Sequence, residues 1–278
     1  MLYRTVSRMP ELNFSVLGFG CWSLGEHSGW TNANDEASIR TIETAIDYGV
    51  TFFDTAPVYG FGTSEPLLGK AIKGKRDKLI IASKCGLQWN DKHETRNDLS
   101  EASVLKEIDQ TLKRLNVDYV DIYHLHWPDP KVRVEDLRRT LDKLLDSTKV
   151  RYIGLSNFSL GETKKLCENV KVAAYQGLYN TLEQNEETYH AIPLNYKMKD
   201  EMLPFCGKNG LALFPYSPLM QGVLTDTFDI ARVSKDDIRR QNPKFAGDQI
   251  GIYTEKAGQL KEYAQGLGLT LIELTYGF

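Results

Sequence analysis

The stretch VTFFDTAPVYG, residues 50–60, decides how the rest of the chain is read. Its first half is a β-branched and aromatic run with the composition of a buried strand. That run ends on Asp54, and Tyr59 follows five positions later. A buried strand needs no carboxylate at its tip, and an unpaired one there is costly. Asp54 either caps the following turn, as aspartate often does, or is held there for chemistry.

Outward from this stretch, six further runs of the same kind recur: SVLGFG (15–20), KLIIASK (78–84), VDIYHLH (120–126), VRYIGLS (150–156), VAAYQ (172–176) and LALFPYS (211–217). They are short and rich in Val, Ile, Leu, Tyr and Phe, as strands buried on both faces should be. Between them lie apolar stripes at helical spacing: Ile39, Ile42, Ala45 and Ile46; Val104, Ile108, Leu112 and Leu115; Leu137, Leu141, Leu144 and Leu145. Asn34 and Asp35 offer caps for the first helix. Ser100 offers one for the second, with Ser103 where a full capping box would place Glu. Strands alternating with helices imply a parallel sheet. A doubly wound sheet and a (β/α)8 TIM barrel both fit, and the evenness of the units favours the barrel, which typically takes ~250 residues. With no linker or low-complexity stretch, residues 1–278 read as one domain, and the charged region 226–247 reads as a long loop after the seventh strand.

Composition narrows the function classes. The net charge is −3 with 26% charged residues, which gives no electrostatic basis for binding nucleic acid or an acidic membrane surface. Cys21, Cys85, Cys167 and Cys206 are scattered, without a C-x-x-C pair. Reduced thiols in a cytoplasmic protein are the simpler reading. The N-terminus lacks the apolar core of a secretory signal, and no run of about 18 uncharged apolar residues could cross a bilayer.

In a barrel, the carboxyl ends of the strands form the active face. Strand two ends at Asp54, strand three at Lys84 and strand four at His126; strand five ends at Ser156-Asn157, strand six at Gln176 and strand seven at Tyr216-Ser217. Each residue alone has a plain structural reading: Asp54 as a turn former, Lys84 as a surface lysine, His126 as a core histidine bonded to a carbonyl. Their coincidence at one rim argues against independent plain readings. The types suit proton transfer coupled to carbonyl reduction. Tyrosine is a weak acid with a pKa of ~10. A lysine ammonium beside it stabilises the phenolate, and a carboxylate keeps that lysine charged. Histidine can hold the carbonyl oxygen or relay the proton. Asp54, Tyr59, Lys84 and His126 supply one of each.

At this point the chain resembles the aldo-keto reductases, with wording closest to a bacterial-type soluble group. The matching phrases are GFGCWSLG (18–25), FFDTAPVYGFGTSEPLLGKAI (52–72), IIASKCG (80–86), DIYHLHWPDP (121–130), IGLSNFS (153–159), YQGLYN (175–180) and PYSPLMQGVL (215–224), in order along almost the whole chain; RRQNPKF (239–245) adds to the impression. The resemblance implies a (β/α)8 barrel that reduces aldehydes or ketones with a nicotinamide cofactor, NADP(H) in preference to NAD(H). It implies Tyr59 as general acid, with Asp54, Lys84 and His126 completing a tetrad. Ser156, Asn157 and Gln176 fall where the family holds the carboxamide, and Tyr216 where an aromatic stacks on the nicotinamide. Cys21 and Trp22 follow the first strand beside the cofactor, and Ser217, Pro218, Leu219, Met220 and Gln221 form the loop over the pyrophosphate.

The family continues past the seventh helix into an eighth strand and a last helix, so the resemblance implies a barrel C-terminally incomplete relative to the family. Two open sheet edges and a weaker hold on the adenine end of the cofactor would follow. Related reductases carry cations where this chain has Gln221 and Asp226-Thr227, a difference expected to weaken pyrophosphate binding. Two rival functions follow: a nicotinamide-nucleotide-sensing module with little turnover, and an inactive shortened reductase. A dinucleotide reading of GFG (18–20) is weak, because Ser23 stands where the third glycine belongs. Asp121, His124 and His126 lack a third ligand pattern, so no metal is expected. Trp30, Trp89 and Trp127 either wall an apolar substrate pocket or seal the barrel top. The expected partner is a small carbonyl or alcohol; the oligomeric state is left open.

Overall fold

A computed structural model describes residues 1–31 and 33–278. Among these, seven parallel strands form one nearly closed barrel wall. In order around it they are β3 (Phe19–Gly20), β4 (Phe52–Asp54), β5 (Ile80–Cys85), β8 (Val120–Leu125), β9 (Val150–Ser156), β10 (Val172–Leu178) and β13 (Ala212–Tyr216). Every neighbour in this order is also the next barrel strand in the sequence, the topology of a (β/α)8 barrel. Helices α1 (Asp35–Asp47), α2 (Ser64–Ala71), α3 (Glu101–Leu115), α4 (Val134–Asp146), α5 (Leu160–Asn169) and α6 (Leu203–Asn209) fill the connections. Their caps follow the sequence: Asn34 accepts from the Ala37 amide at 2.8 Å, and Ser100 from the Ser103 amide at 3.4 Å.

The strands carry two different apolar faces. Outward residues such as Phe53, Ile81, Tyr123, Leu125 and Ile153 join Ile42, Leu68, Ile108, Leu141 and Leu144 of the helices in the main core. Inward residues Phe52, Ile80, Ala82, Ile122, Ala174 and Ala212 form a second, inner core with the half-buried Phe214. Because side chains alternate with period two, the next inward position beyond each inner apolar residue lies at the top of the barrel. Those positions are Asp54 above Phe52, Lys84 above Ala82, His124 above Ile122, Gln176 above Ala174 and Tyr216 above Phe214.

The floor of the barrel comes from the N-terminus. Strands β1 (Tyr3–Val6) and β2 (Met9–Ser15) pair antiparallel, and Met9, Leu12 and Phe14 insert into the inner core. The Phe14 ring meets Phe52 edge-on at 5.4 Å and Phe214 at 5.7 Å. Arg8 locks the hairpin in place, donating to the Asn209 carbonyl at 2.8 Å and the Val172 carbonyl at 2.7 Å.

Residues 15–20, read from sequence as one strand, are divided. Ser15 ends β2, and only Phe19–Gly20 pairs within the wall. Val16 and Leu17 lie exposed as the chain crosses from floor to wall. Gly18 passes so close to Phe52 that a Cβ would sit 2.6 Å from its ring.

Two short hairpins, β6–β7 (Leu87–Trp89, Thr95–Asn97) and β11–β12 (Thr188–Tyr189, Ile192–Pro193), stand outside the barrel wall. The region read as a long loop, 226–247, holds three single-turn 3₁₀ helices. It leads into α7 (Gly247–Gly266) and α8 (Leu271–Gly277), and a third apolar cluster joins Met220, Val223, Leu224 and Phe245 to Ala257 and Leu271.

Candidate active site

The carboxylate that opened the sequence question lies in a polar cluster at the barrel top. Asp54 Oδ2 accepts from Lys84 Nζ at 2.6 Å, and its Oδ1 accepts from Gln176 Nε2 at 3.1 Å. One carboxylate thus joins strands on opposite sides of the barrel. The Lys84 side chain is fully buried and also donates to the Thr55 carbonyl at 2.9 Å. A buried ammonium is tolerable only with such partners.

Tyr59 opens a 3₁₀ turn, Tyr59–Gly62, in which Gly60 and Phe61 both take positive φ. The turn brings its ring over the cluster: Lys84 Nζ lies 4.8 Å from the ring centroid. The His126 imidazole stands edge-on to it, with centroids 5.8 Å apart at 80°. Burial raises the Tyr59 hydroxyl well above its ordinary pKa, and the nearby Asp54 adds to the rise. The phenol therefore stays protonated, and it can give up its proton only where a neighbouring group stabilises the phenolate that forms. Burial lowers His126 well below its ordinary value, with Lys84 and His124 pushing the same way. Its imidazole is neutral at neutral pH and can donate a hydrogen bond without carrying charge.

Below His126, burial holds His124 down to about 4. Among the described residues neither of its ring nitrogens has a hydrogen-bond partner. Space for the ring comes from Gly154 on the adjacent strand, where a Cβ would lie 2.3 Å from His124 Cδ2.

On the other side of the rim, Asn157 sits in the left-handed region at φ 63°, a conformation asparagine tolerates better than most residues. Its Nδ2 donates to the His126 carbonyl and to Ser156 Oγ, each at 3.1 Å. Its Oδ1 accepts from the hydroxyls of Tyr216 at 2.9 Å and Tyr196 at 3.2 Å. The Asn157 backbone amide donates to the Gln176 carbonyl at 3.3 Å, so Ser156, Asn157, Gln176 and Tyr216 share one network with Asp54 and the His126 carbonyl.

Cys21 and Trp22 follow β3 as expected. The Cys21 amide donates to the Asp54 carbonyl at 2.8 Å, while its side chain belongs to the main core. Ser217, Met220 and Gln221 all take positive φ, so the loop 217–221 folds back sharply on itself. Two cations lie against it. Lys244 lines a small cavity with Ser217, Met220 and Gln221, and Arg239 passes beside Gly222. Both are already paired, Lys244 with Glu183 and Glu186 and Arg239 with Asp237, so the RRQNPKF segment brings its cations to this loop neutralised by their own carboxylates.

The tryptophans do not gather into one wall. Trp30 packs edge-on against Trp22 at 5.5 Å and lies under the Arg239 guanidinium. Trp89 lies 6.3 Å from Phe61, and Trp127 rests on the main core.

Tyr189, His190 and Tyr196 sit in this region without having been singled out from sequence. All three come from the connection 179–202 between β10 and α6. Its length, far beyond the ~4–6 residues usual for such connections, was the available signal. Among the described residues, no group of three or more His, Cys, Asp or Glu side chains is arranged to hold a metal ion. Nor is any helix long and apolar enough to cross a membrane.

Comparison with known proteins agrees with this geometry. The family model described as "Aldo/keto reductase family" matches residues 16–278. The aldo-keto reductase YhdN of Bacillus subtilis is 35% identical over 254 residues, spanning 90% of this chain and 72% of that protein. The NADH-specific methylglyoxal reductase of Escherichia coli is 31% identical, spanning 84% of this chain and 74% of its own length. The solved glycerol dehydrogenase AKR11B4 from Gluconobacter oxydans superposes with a TM-score of 0.81 at 31% identity, over 97% of this chain and 80% of that one. Barrel, rim chemistry and similarity converge: the chain belongs to the aldo/keto reductase family, whose members are NAD(P)H-dependent oxidoreductases.

Proposed function

We propose that this chain reduces the carbonyl of a small aldehyde or ketone, with Tyr59 delivering the proton to the carbonyl oxygen. The observation that carries the reading is the Lys84–Asp54 pair at 2.6 Å, buried beneath a Tyr59 ring that His126 flanks. The Lys84 ammonium lowers the cost of phenolate formation as the proton leaves, and Asp54 holds Lys84 in position beneath the ring. Neutral His126 offers a hydrogen bond to the same oxygen and fixes its position.

The donor set fits a nicotinamide nucleotide. Asn157 and Gln176 carry amides complementary to a carboxamide, which would bind it by exchanging the internal hydrogen bonds they now make, while Ser156 adds a hydroxyl and Tyr216 an aromatic face. Lys244 and Arg239 lie beside Ser217, Pro218, Leu219, Met220 and Gln221, and would reach a pyrophosphate by exchanging their carboxylate partners Glu183, Glu186 and Asp237. Cys21 and Trp22 border the same side. When bound, the nicotinamide supplies the hydride that reaches the carbonyl carbon. We read NADP(H) as preferred over NAD(H); one similar protein is named as NADH-specific, so the titration below includes both. Trp30, Trp89 and Trp127 are proposed to border the substrate from separate directions. With four free cysteines and a net charge of −3, we place the protein in the cytoplasm, acting on small molecules.

The test is Tyr59→Phe. Turnover of a carbonyl panel should fall about 10²–10⁴-fold, while NADPH and NADH dissociation constants, read by tryptophan quenching, stay within about twofold of wild type. Retained turnover in this variant would remove Tyr59 from the chemistry.

A further inference from the structure

The connection 179–202 does more than join β10 to α6. Strands β11 and β12 are linked by His190 and Ala191, both at positive φ, 49° and 62°. A two-residue turn of that shape favours Asn and Gly, and neither is present. Non-glycine residues held this way are strained and persist only where their surroundings fix them.

What fixes this turn is the rim of the candidate site. The Tyr189 ring packs against Tyr216 with centroids 5.0 Å apart, and its hydroxyl lies 3.2 Å from Ser217 Oγ. Gln221 Nε2 donates to His190 Nε2 at 2.7 Å, and the His190 ring stands edge-on to Trp22 at 5.8 Å. At the base of the hairpin, Lys244 binds both Glu183 and Glu186. Tyr216, Ser217, Gln221 and Trp22 are the residues that the reading above assigns to the cofactor. Gln221 is fully engaged, since its Oε1 also accepts from Asn242 at 3.1 Å.

We propose that this hairpin is a strap across the cofactor groove, and that Tyr189 and His190 must lift off Tyr216, Ser217 and Gln221 before NAD(P)H can seat. The inference rests on the reading of the chain as an NAD(P)H-dependent reductase. It adds a built-in brake on cofactor entry: the closed strap satisfies the same groups that the nucleotide needs. The strain at His190 and Ala191 biases the strap toward release, and the Lys244 pairs keep its base tethered while the tip moves.

Two substitutions move the equilibrium in opposite directions. Tyr189→Ala removes the contacts with Tyr216 and Ser217 and so opens the strap. Ala191→Gly keeps every partner, because Ala191 is exposed, and relieves its positive φ, so it closes the strap.

The full chain is mixed rapidly with NADPH, and separately with NADH, while tryptophan fluorescence is followed. A strap that must open first gives an observed rate that saturates with cofactor concentration. Relative to wild type, Ala191→Gly should weaken apparent affinity roughly three- to fivefold. Tyr189→Ala should raise the rate ceiling and tighten binding by up to about tenfold if the open form is a tenth of the population. Binding by Tyr189→Ala alone would be the strongest support. Rates linear in cofactor and equal in all three proteins would overturn the strap while leaving the cofactor reading intact. Absence of binding in all three would overturn both. Should Tyr189→Ala fail to fold, the exposed Ala191→Gly change still decides the matter.

Discussion

Replacing Gly154 with alanine tests whether the barrel interior is packed as tightly as the site above it requires. Gly154 pairs in register with His124, and His124 pairs on its other side with Lys84. The new Cβ would lie 2.3 Å from Cδ2, 2.5 Å from Nε2 and 2.9 Å from Cγ of the His124 ring. The ring must therefore retreat by about 1 Å, and a close-packed interior offers no slack of that size. Overpacking of this kind costs about 1–3 kcal/mol. The ring's retreat is toward Lys84, whose 2.6 Å pairing with Asp54 is itself buried. We expect a loss of about 2–4 kcal/mol in urea unfolding at unchanged m-value. Carbonyl turnover should fall further than the folded fraction accounts for. His124→Ala should rescue it: the double variant should be more stable than the sum of the single effects by about 1 kcal/mol or more. A Gly154→Ala protein within about 0.5 kcal/mol of wild type, or strict additivity in the double variant, would refute the reasoning.

Two further expectations concern buried carboxylates outside the rim. Glu65 is fully buried and accepts from Arg114 Nε and, at 2.7 Å, from the hydroxyl of Ser83, the neighbour of Lys84. Glu65→Ala should cost about 3 kcal/mol in chemical unfolding because it strands the guanidinium, and a cost below about 1 kcal/mol would show that water replaces the carboxylate. Glu107 holds the Gly86 amide at 3.1 Å, two residues beyond Lys84, and burial pushes its carboxyl up from 4.5 to about 7. A raised carboxyl binds more protons folded than unfolded between pH 4.5 and 7, so its contribution to stability is complete below that window and is lost as pH rises through it. Glu107→Gln should therefore be more stable than wild type at pH 8 by up to about 3 kcal/mol, a gain that fades toward pH 4.5. Buried histidines, whose depressed values act in the opposite sense, cancel in the comparison. Parallel stability–pH curves for the two proteins would contradict the burial assignment.

The rim was legible in sequence because it follows a local rule. An inward apolar residue two positions before a polar strand tip is a period-two pattern, and Phe52-Asp54 and Ala82-Lys84 state it openly. The caps at Asn34 and Ser100 were legible for the same reason, since the side chain and the amide it satisfies are three residues apart. The floor was harder to read. Met9, Leu12 and Phe14 break strict alternation, so the hairpin does not announce which face it buries. The strap was not legible at all beyond its length. Its anchors join Glu186 to Lys244 and His190 to Gln221, 58 and 31 residues apart, and no local pattern encodes such pairings. The same holds for Asn157: its left-handed backbone and four hydrogen bonds depend on Tyr196 and Tyr216, which arrive 39 and 59 residues later.

The barrel floor also sets a timetable for folding. Arg8 holds the hairpin by donating to the Asn209 carbonyl, 201 positions further along the chain. Met9, Leu12 and Phe14 complete an inner core whose last members, Ala212 and Phe214, lie farther still along the chain. At ~5–20 residues per second on the ribosome, those three side chains wait roughly 10–40 s before their partners exist. Contacts of such long range slow folding and leave apolar surface open in the meantime. Met9, Leu12 and Phe14 are thus made long before the residues that bury them, and a chaperone that recognises this nascent chain should find a target there.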